Sequence, residues 1–166
     1  MFIKEGHVIS MNYHFTTTKV HFELAGGQVL ELCIDETLNT ENNHPFKGNM
    51  DPEKLKEAIR KYGSERVPFV RMEAETNLIR GQPFSMENLR IIKKTCDGYG
   101  TPLVLDGSMI DWNAYLIKQR ESDYRNKSVA EIVREMCSYA DIFYASARKA
   151  PCARGGFIAT NNNKVF

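Results

Sequence analysis

Short apolar segments alternate with amphipathic helical segments along most of this 166-residue chain, and this alternation constrains the fold more than any other feature. Strands are predicted at residues 29–34, 67–72, 102–105, 141–145 and 156–160. The segment at residues 102–105, PLVL, is apolar on both faces, as are strands buried within a parallel sheet. Strands that alternate with helices are typical of a largely parallel sheet covered by helices. We therefore predict an α/β fold with a mostly parallel sheet between helices.

The helical segments carry their own start and stop signals. Residues 51–62 have Asp51 as a predicted N-cap and Gly63 directly after the last turn. Ser128 with Glu131 three residues later is the pattern of a capping box, which predicts another helix start. Besides residues 51–62, helices are expected at residues 85–97, where Ser85 is a predicted N-cap, at 112–121 and at 128–139.

Charge and hydropathy exclude several classes of protein. The chain has 22 basic and 21 acidic residues, so no basic excess is present to neutralise nucleic-acid phosphates. Mean hydropathy is −0.42, and no apolar run approaches the roughly 18 residues that a membrane span needs. The first ten residues, MFIKEGHVIS, lack the apolar core of a signal peptide. We expect a soluble, cytoplasmic protein with neither nucleic acid nor membrane as partner.

The cysteines and histidines predict neither disulfides nor a metal site. Cys33, Cys96, Cys137 and Cys152 lie far apart and form no C-x-x-C pair, so reduced thiols are expected. The histidines that recur at seven-residue intervals near the N-terminus have no accompanying ligand motif. The length suits one domain, or one lobe of a larger one.

Polar residues follow several of the predicted strands, where ligands gather in open α/β sheets. Asp106 comes directly after the apolar strand and has two interpretations. It caps the helix that follows, or it pairs with the protonated ring nitrogen of a pyridine cofactor, as pyridoxal phosphate requires. The residues around Asp106 leave these two interpretations equally weighted.

Two other strand ends allow similar alternatives. Lys149, in the segment Ser146-Ala147-Arg148-Lys149, is either a surface lysine or the amine that forms a Schiff base with the cofactor aldehyde. Ser146 is then placed to donate to the cofactor phosphate. Asn77 forms an Asx-type turn or holds the cofactor's phenolic oxygen. Phe15, considered alone, is more often a core residue than a platform for a cofactor.

Six strings occur in a characteristic order along the whole chain: FTTT, FKGN, ETNLIRGQPFSMENLR, NAYLIKQRE, KSVAEIVREMCSYAD and SARK. In this order and spacing the chain resembles the central part of the β-eliminating lyases, the family of tryptophanase and tyrosine phenol-lyase. GQPFSMENLR and NAYLIKQRE are the most specific of these strings, because the fold alone dictates neither. The resemblance implies pyridoxal 5'-phosphate as cofactor. It also implies the core of a fold type I, aspartate aminotransferase-like large domain.

The resemblance also implies a role for individual residues. Lys149 would be the Schiff-base lysine and would move the α-proton of the substrate once its amine is released. Thr16 would lie near the substrate side chain. The other implied contacts to the cofactor are the stacked ring of Phe15, the phenolic-oxygen contact of Asn77, the pyridinium partner Asp106 and the phosphate ligand Ser146.

The implied reaction is β-elimination from an aromatic L-amino acid, which yields pyruvate, ammonium and the freed ring. The strings FKGN and NAYLIKQRE favour tryptophan slightly, whereas Thr16 fits the tyrosine enzyme about as well. The resemblance further implies a homotetramer with sites shared between subunits.

Four positions depart from the family pattern. Ala150, which lies outside the residues that the structure describes, replaces the usual aspartate after the attachment lysine. Met109 stands where the family often has an arginine beside the cofactor, and Arg148 replaces the first of two lysines at the attachment site. Arg154 occupies the place of an asparagine near the family's monovalent-cation site. Potassium dependence is therefore left open.

Family members are much longer than this chain, which resembles only their middle. We expect residues 1–166 to be part of a cofactor-binding large domain, without the N-terminal segment and the small C-terminal domain. A loop that holds the cofactor phosphate and an arginine that binds the substrate carboxylate would then be missing. Three hypotheses remain: a fragment of a longer lyase, one part of a lyase encoded by a split gene, and a non-catalytic remnant of the family.

Overall fold

The computed structural model describes residues 3–149 and 152–160, which contain one mixed sheet. Its strands are β1 (Val8–Met11), β2 (Gln28–Glu31), β3 (Val70–Glu73), β4 (Leu103–Asp106), β5 (Ile142–Ser146) and β6 (Gly156–Thr160). Their order across the sheet is β2-β1-β3-β4-β5-β6. All neighbours pair in parallel except β5 and β6, which are antiparallel. The predicted α/β fold with a mostly parallel sheet is confirmed.

Five α-helices accompany the sheet in the described part of the chain: α1 (Thr16–Leu24), α2 (Pro52–Tyr62), α3 (Met86–Tyr99), α4 (Ile110–Arg120) and α5 (Val129–Ser138). The last four lie where helices were predicted. The Asp51 side chain accepts hydrogen bonds from the backbone N–H groups of Glu53 and Lys54, as an N-cap does. The capping box of Ser128 and Glu131 is also formed. Local side-chain chemistry therefore determines where these helices begin.

Two elements were not predicted, β1 and α1. The strand β1 is only four residues long and includes the polar Ser10, although all four residues are buried. Helix α1 begins with three threonines, which have low helix propensity, and its N-cap Phe15 makes no side-chain cap. Because both elements have weak local signals, packing against the rest of the sheet decides their structure.

The two faces of the sheet are covered unequally. Val70, Met72, Leu103 and Leu105 lie in the larger apolar cluster, with residues from α2, α3, α4 and α5. The smaller cluster on the other face contains Ile9, Met11, Phe69, Val104 and Ile142, and α1 packs against it. Side chains alternate along a strand, so consecutive residues of β3 and β4 belong to opposite faces. None of the helices in the described part has the length and apolar character needed to span a bilayer.

Asn12 ties the end of β1 to the end of β3. Its side chain is completely buried, and its Nδ2 donates to the carbonyl oxygens of Gly48 (2.9 Å) and Glu73 (3.1 Å) and to Thr76 Oγ1 (3.3 Å). Its Oδ1 accepts from the backbone N–H of Glu73 at 2.9 Å. One amide thus satisfies several buried backbone groups next to the loop that follows β3.

We predict that Asn12→Ala lowers the free energy of unfolding by about 3 kcal/mol, because it leaves buried backbone groups of Gly48 and Glu73 without their partner. Urea denaturation monitored by circular dichroism measures the change. Asn126→Ala, at an exposed position, is the matched control and should shift stability by less than about 0.5 kcal/mol. Equal effects of the two substitutions would contradict the role given to Asn12.

Candidate active site

A cavity of about 590 Å³ lies at the carboxyl ends of β3, β4 and β5, beside the start of α1. This is the edge at which ligands bind in open α/β sheets. Polar and aromatic side chains from four separate parts of the chain line it, namely Phe15, Asn77, Asp106, Ser146 and Lys149. Five of the six residues singled out from the sequence are therefore brought together at one site.

Asp106 is the last residue of β4 and is 6% exposed. Its Oδ1 accepts from the backbone N–H and the hydroxyl of Ser108, at 3.0 and 2.7 Å. The following helix, α4, has Met109 as its N-cap and no side-chain cap. Asp106 therefore does not cap α4, and that interpretation was wrong. Gly107 follows it, and a Cβ at that position would lie 2.1 Å from the Phe143 ring, which would then have to shift.

Lys149 and Phe15 face each other across part of the cavity. The Nζ atom of Lys149 lies 5.9 Å from the centroid of the Phe15 ring. Lys149 is exposed and follows β5 by three residues, in a turn where the N–H of Cys152 donates to the Lys149 carbonyl at 2.9 Å. An accessible amine beside an aromatic face is suited to bond to a flat ring that carries an aldehyde.

Ser146 and Asn77 lie on the walls of the cavity. The backbone N–H of Ser146 donates to Ser108 Oγ at 3.0 Å, and Ser146 Oγ accepts from the N–H of Arg148 at 3.3 Å. Asn77 begins the 3-10 turn Asn77–Ile79 and is exposed. The turn is closed by its backbone carbonyl, which accepts from the N–H of Arg80 at 3.0 Å. The Asn77 amide lies at the cavity, where it can contact a ligand.

Thr16 is not brought to the cavity with the others. It is the first residue of α1 and is exposed, whereas the next two residues, Thr17 and Thr18, line the cavity. Met109, which stands where the family often has an arginine, also lines the cavity. A thioether therefore lies at the cavity in place of a guanidinium. Arg154 is exposed, as is Arg148.

The sequence analysis missed two charged residues, Glu73, which lines the cavity, and Arg71, which lies buried next to it. Arg71 of β3 is completely buried, and its Nη2 donates to Glu73 Oε2 at 2.8 Å and to Asp106 Oδ2 at 2.6 Å. Its Nε donates to the hydroxyl of Tyr144 at 2.7 Å. A signal was present in the sequence, since Phe69, Arg71 and Glu73 alternate on one face of an otherwise apolar strand.

Burial and pairing set the protonation of this cluster. Burial by itself would lower the pKa of Arg71, but Tyr144, Glu73 and Asp106 outweigh burial and raise that pKa. Burial raises the pKa of Glu73, against the opposing effect of Arg71. Burial likewise raises the pKa of the Tyr144 phenol, which therefore stays neutral. Three neighbouring strands thus place one guanidinium, two carboxyl groups and one phenol beneath the cavity.

The residues around the cavity fit pyridoxal phosphate. A buried carboxylate at the floor suits a protonated ring nitrogen, and an amine beside an aromatic ring suits the aldehyde of a stacked ring. Among residues 3–149 and 152–160, no cluster of three or more His, Cys, Asp or Glu side chains is arranged to hold a metal ion.

Comparisons with known proteins agree on one family. The family model described as "Beta-eliminating lyase" matches residues 3–165. The chain is similar to a tyrosine phenol-lyase of Nostoc punctiforme, with 41% identity over 99% of this chain and 35% of that protein. It is also similar to a tryptophanase of Salinibacter ruber, with 42% identity over 93% of this chain and 33% of that protein. The chain thus spans about a third of the length of the curated relatives it matches.

Solved structures show the same fold at lower identity. A Saccharomyces cerevisiae protein with a proposed kynurenine aminotransferase activity superposes with a TM-score of 0.66 at 20% identity, over 98% of this chain and 36% of that one. The predicted fold type I, aspartate aminotransferase-like core is therefore confirmed as the fold of the sheet and its helices. With a family match along almost its whole length, this chain belongs to the β-eliminating lyase family.

Proposed function

We propose that this chain is the cofactor-binding core of a pyridoxal-phosphate-dependent lyase that performs β-elimination on an aromatic L-amino acid. The observation that carries the proposal is the convergence of Lys149, Phe15 and Asp106 on one cavity at the carboxyl edge of the sheet. Relatives with tyrosine phenol-lyase and tryptophanase names support the reaction class.

Each of the residues that line the cavity has a separate role in this proposal. When bound, pyridoxal phosphate supplies a protonated ring that withdraws electrons from the α-carbon of the amino acid attached to it. Lys149 would hold the cofactor through its amine and then, as a free amine, would take the α-proton. Phe15 would pack on the ring face, and Asp106 would keep the proton on the ring nitrogen.

The remaining residues orient the ligand. Asn77 would contact the phenolic oxygen of the cofactor, and Ser146 would donate to its phosphate. Thr16 does not line the cavity of the isolated chain. We propose that it lies near the substrate side chain in the assembled protein, a homotetramer with sites shared between subunits. In this assembly, residues 1–166 form part of the large domain.

The choice of substrate stays a proposal. The preference for tryptophan from FKGN and NAYLIKQRE stands beside relatives of both names with nearly equal identity. A second candidate function is that of a folded module without activity of its own, or one part of a lyase encoded in parts. The specific observation in its favour is that the chain matches only about a third of each relative.

Covalent attachment at Lys149 is directly testable. Borohydride reduction of the chain with pyridoxal phosphate should leave the mass of one reduced cofactor on the peptide that contains Lys149. Lys149→Arg should lose this adduct, because a guanidinium does not bond to the aldehyde in this way. Lys94→Arg, which changes an exposed lysine on α3, is the matched control and should keep it. Adduct on other lysines with Lys149 unmodified would remove the central assignment.

Asp106→Asn should weaken cofactor retention while leaving the fold intact. A neutral amide cannot balance the charge of a protonated ring, and a hydrogen bond to a charged group contributes about 1.5–3 kcal/mol. The cofactor concentration for half-maximal trapping at Lys149 should therefore rise by roughly tenfold or more. Asp123→Asn, at an exposed position, is the control. Unchanged trapping in Asp106→Asn, with a native circular dichroism spectrum, would contradict this role.

The isolated 166-residue polypeptide should release no pyruvate from tryptophan or tyrosine. The resemblance places the arginine that binds the substrate carboxylate outside the part of the relatives that this chain matches. Without such an anchor the substrate is not held for reaction. Pyruvate measured with lactate dehydrogenase, with Lys149→Arg as the blank, tests this. Release from either substrate would show that the anchor lies within these residues and would identify the preferred ring.

A further inference from the structure

Arg71 is an arginine enclosed in the sheet beneath the cavity. It has no exposed surface, and it contacts Glu73 on its own strand, Asp106 on β4, Tyr144 on β5 and the carbonyl of Tyr13, which follows β1. Burying an ion pair costs several kcal/mol per ion, and apolar side chains of similar volume often give equal or greater stability. Stability alone therefore does not explain a buried arginine at this position. Its contact with Asp106 suggests a role at the cavity instead.

The charges of the cluster do not cancel. Arg71 carries one positive charge, and Glu73 and Asp106 are two carboxyl groups directly opposite each other in the register of β3 and β4. Tyr144, opposite Asp106 in β5, is neutral because burial raises its pKa. With both carboxyl groups ionised, one net negative charge remains at the cavity floor. A protonated pyridine ring would neutralise it.

Asp106 is also held firmly in orientation. Ser108 occupies Oδ1 with two hydrogen bonds, and Arg71 occupies Oδ2. A carboxylate offers about four acceptor sites, so these donors leave little freedom to rotate. Arg71 by itself, however, would neutralise Asp106. Glu73 removes that effect, because it accepts from the same Nη2 atom of Arg71.

We propose that Arg71 and Glu73 are paired positioning residues. Arg71 fixes the carboxylate of Asp106, and Glu73 offsets the charge of Arg71, so that the floor keeps the one negative charge that a protonated pyridine ring requires. This inference rests on the proposed function, because it concerns the same cofactor. Its consequence is specific to charge: removal of Glu73 lowers the preference for a ring nitrogen, and removal of both partners restores it.

The test compares two ligands with the same aldehyde and phosphate. One is pyridoxal phosphate, and the other is its 1-deaza analogue, in which a C–H group replaces the ring nitrogen. The readout is the ratio of the concentrations that give half-maximal borohydride trapping at Lys149, which needs no turnover. Differences in intrinsic aldehyde reactivity cancel when this ratio is compared between variants.

Glu73→Gln, which preserves shape, should lower the preference for pyridoxal phosphate by roughly tenfold, as expected when a charge-assisted contact loses its net charge. The double variant Arg71→Met with Glu73→Gln should return the ratio to within about threefold of the unsubstituted chain. Glu87→Gln, which removes an exposed charge at the start of α3, should leave the ratio unchanged.

The outcomes separate this inference from the proposed function. Trapping of neither ligand at Lys149 of the unsubstituted chain would overturn both. Normal trapping with an unaltered ratio in Glu73→Gln would overturn only the inference. A double variant with a native circular dichroism spectrum and a ratio as low as that of Glu73→Gln would also overturn it, because a merely structural pair gives no rescue. A double variant that does not fold would overturn it too, since Arg71 and Glu73 would then be required for the fold.

Discussion

The guanidinium of Arg71, enclosed between β3, β4 and β5, is the constraint on which the site depends. It contacts Glu73 on its own strand, Asp106 on the next and Tyr144 on the one after. A buried charge is tolerated only when its partners have excellent geometry. The carboxyl ends of three strands are therefore held in a fixed relation, and Asp106 is presented to the cavity in one orientation.

The unequal covering of the two sheet faces explains where the charged group around Arg71 can lie. On one face, α2 to α5 pack against Val70, Met72, Leu103 and Leu105, and this face forms the larger apolar cluster. The opposite face has α1 and a smaller cluster, so space for a ligand and for charged groups remains near the strand ends. Helix α1 begins directly after Phe15. One element therefore both covers the face and forms a wall of the cavity.

Much of the architecture follows from local patterns. The helices that begin after Asp51, Ser85 and Ser128 were predictable because a side chain caps each one. The strand ending at Asp106 was predictable from its apolar run. The strand β1 and helix α1 were not, since four residues that include Ser10 and a helix that starts with threonines carry little intrinsic preference. Their structure depends on contacts with distant parts of the chain.

The same distinction between local patterns and tertiary contacts applies to the candidate site. The sequence by itself determined the fold class and the family, and it singled out Phe15, Asn77, Asp106, Ser146 and Lys149, which line one cavity, because motifs and strand ends are local properties. Only the tertiary structure decided that Asp106 is not a helix cap and that Arg71 and Glu73 lie beneath it. The period of two along a strand assigns each residue to a face, but the order and register of strands decide which residues meet. Glu73, Asp106 and Tyr144 form one row only because β3, β4 and β5 are neighbours in this register.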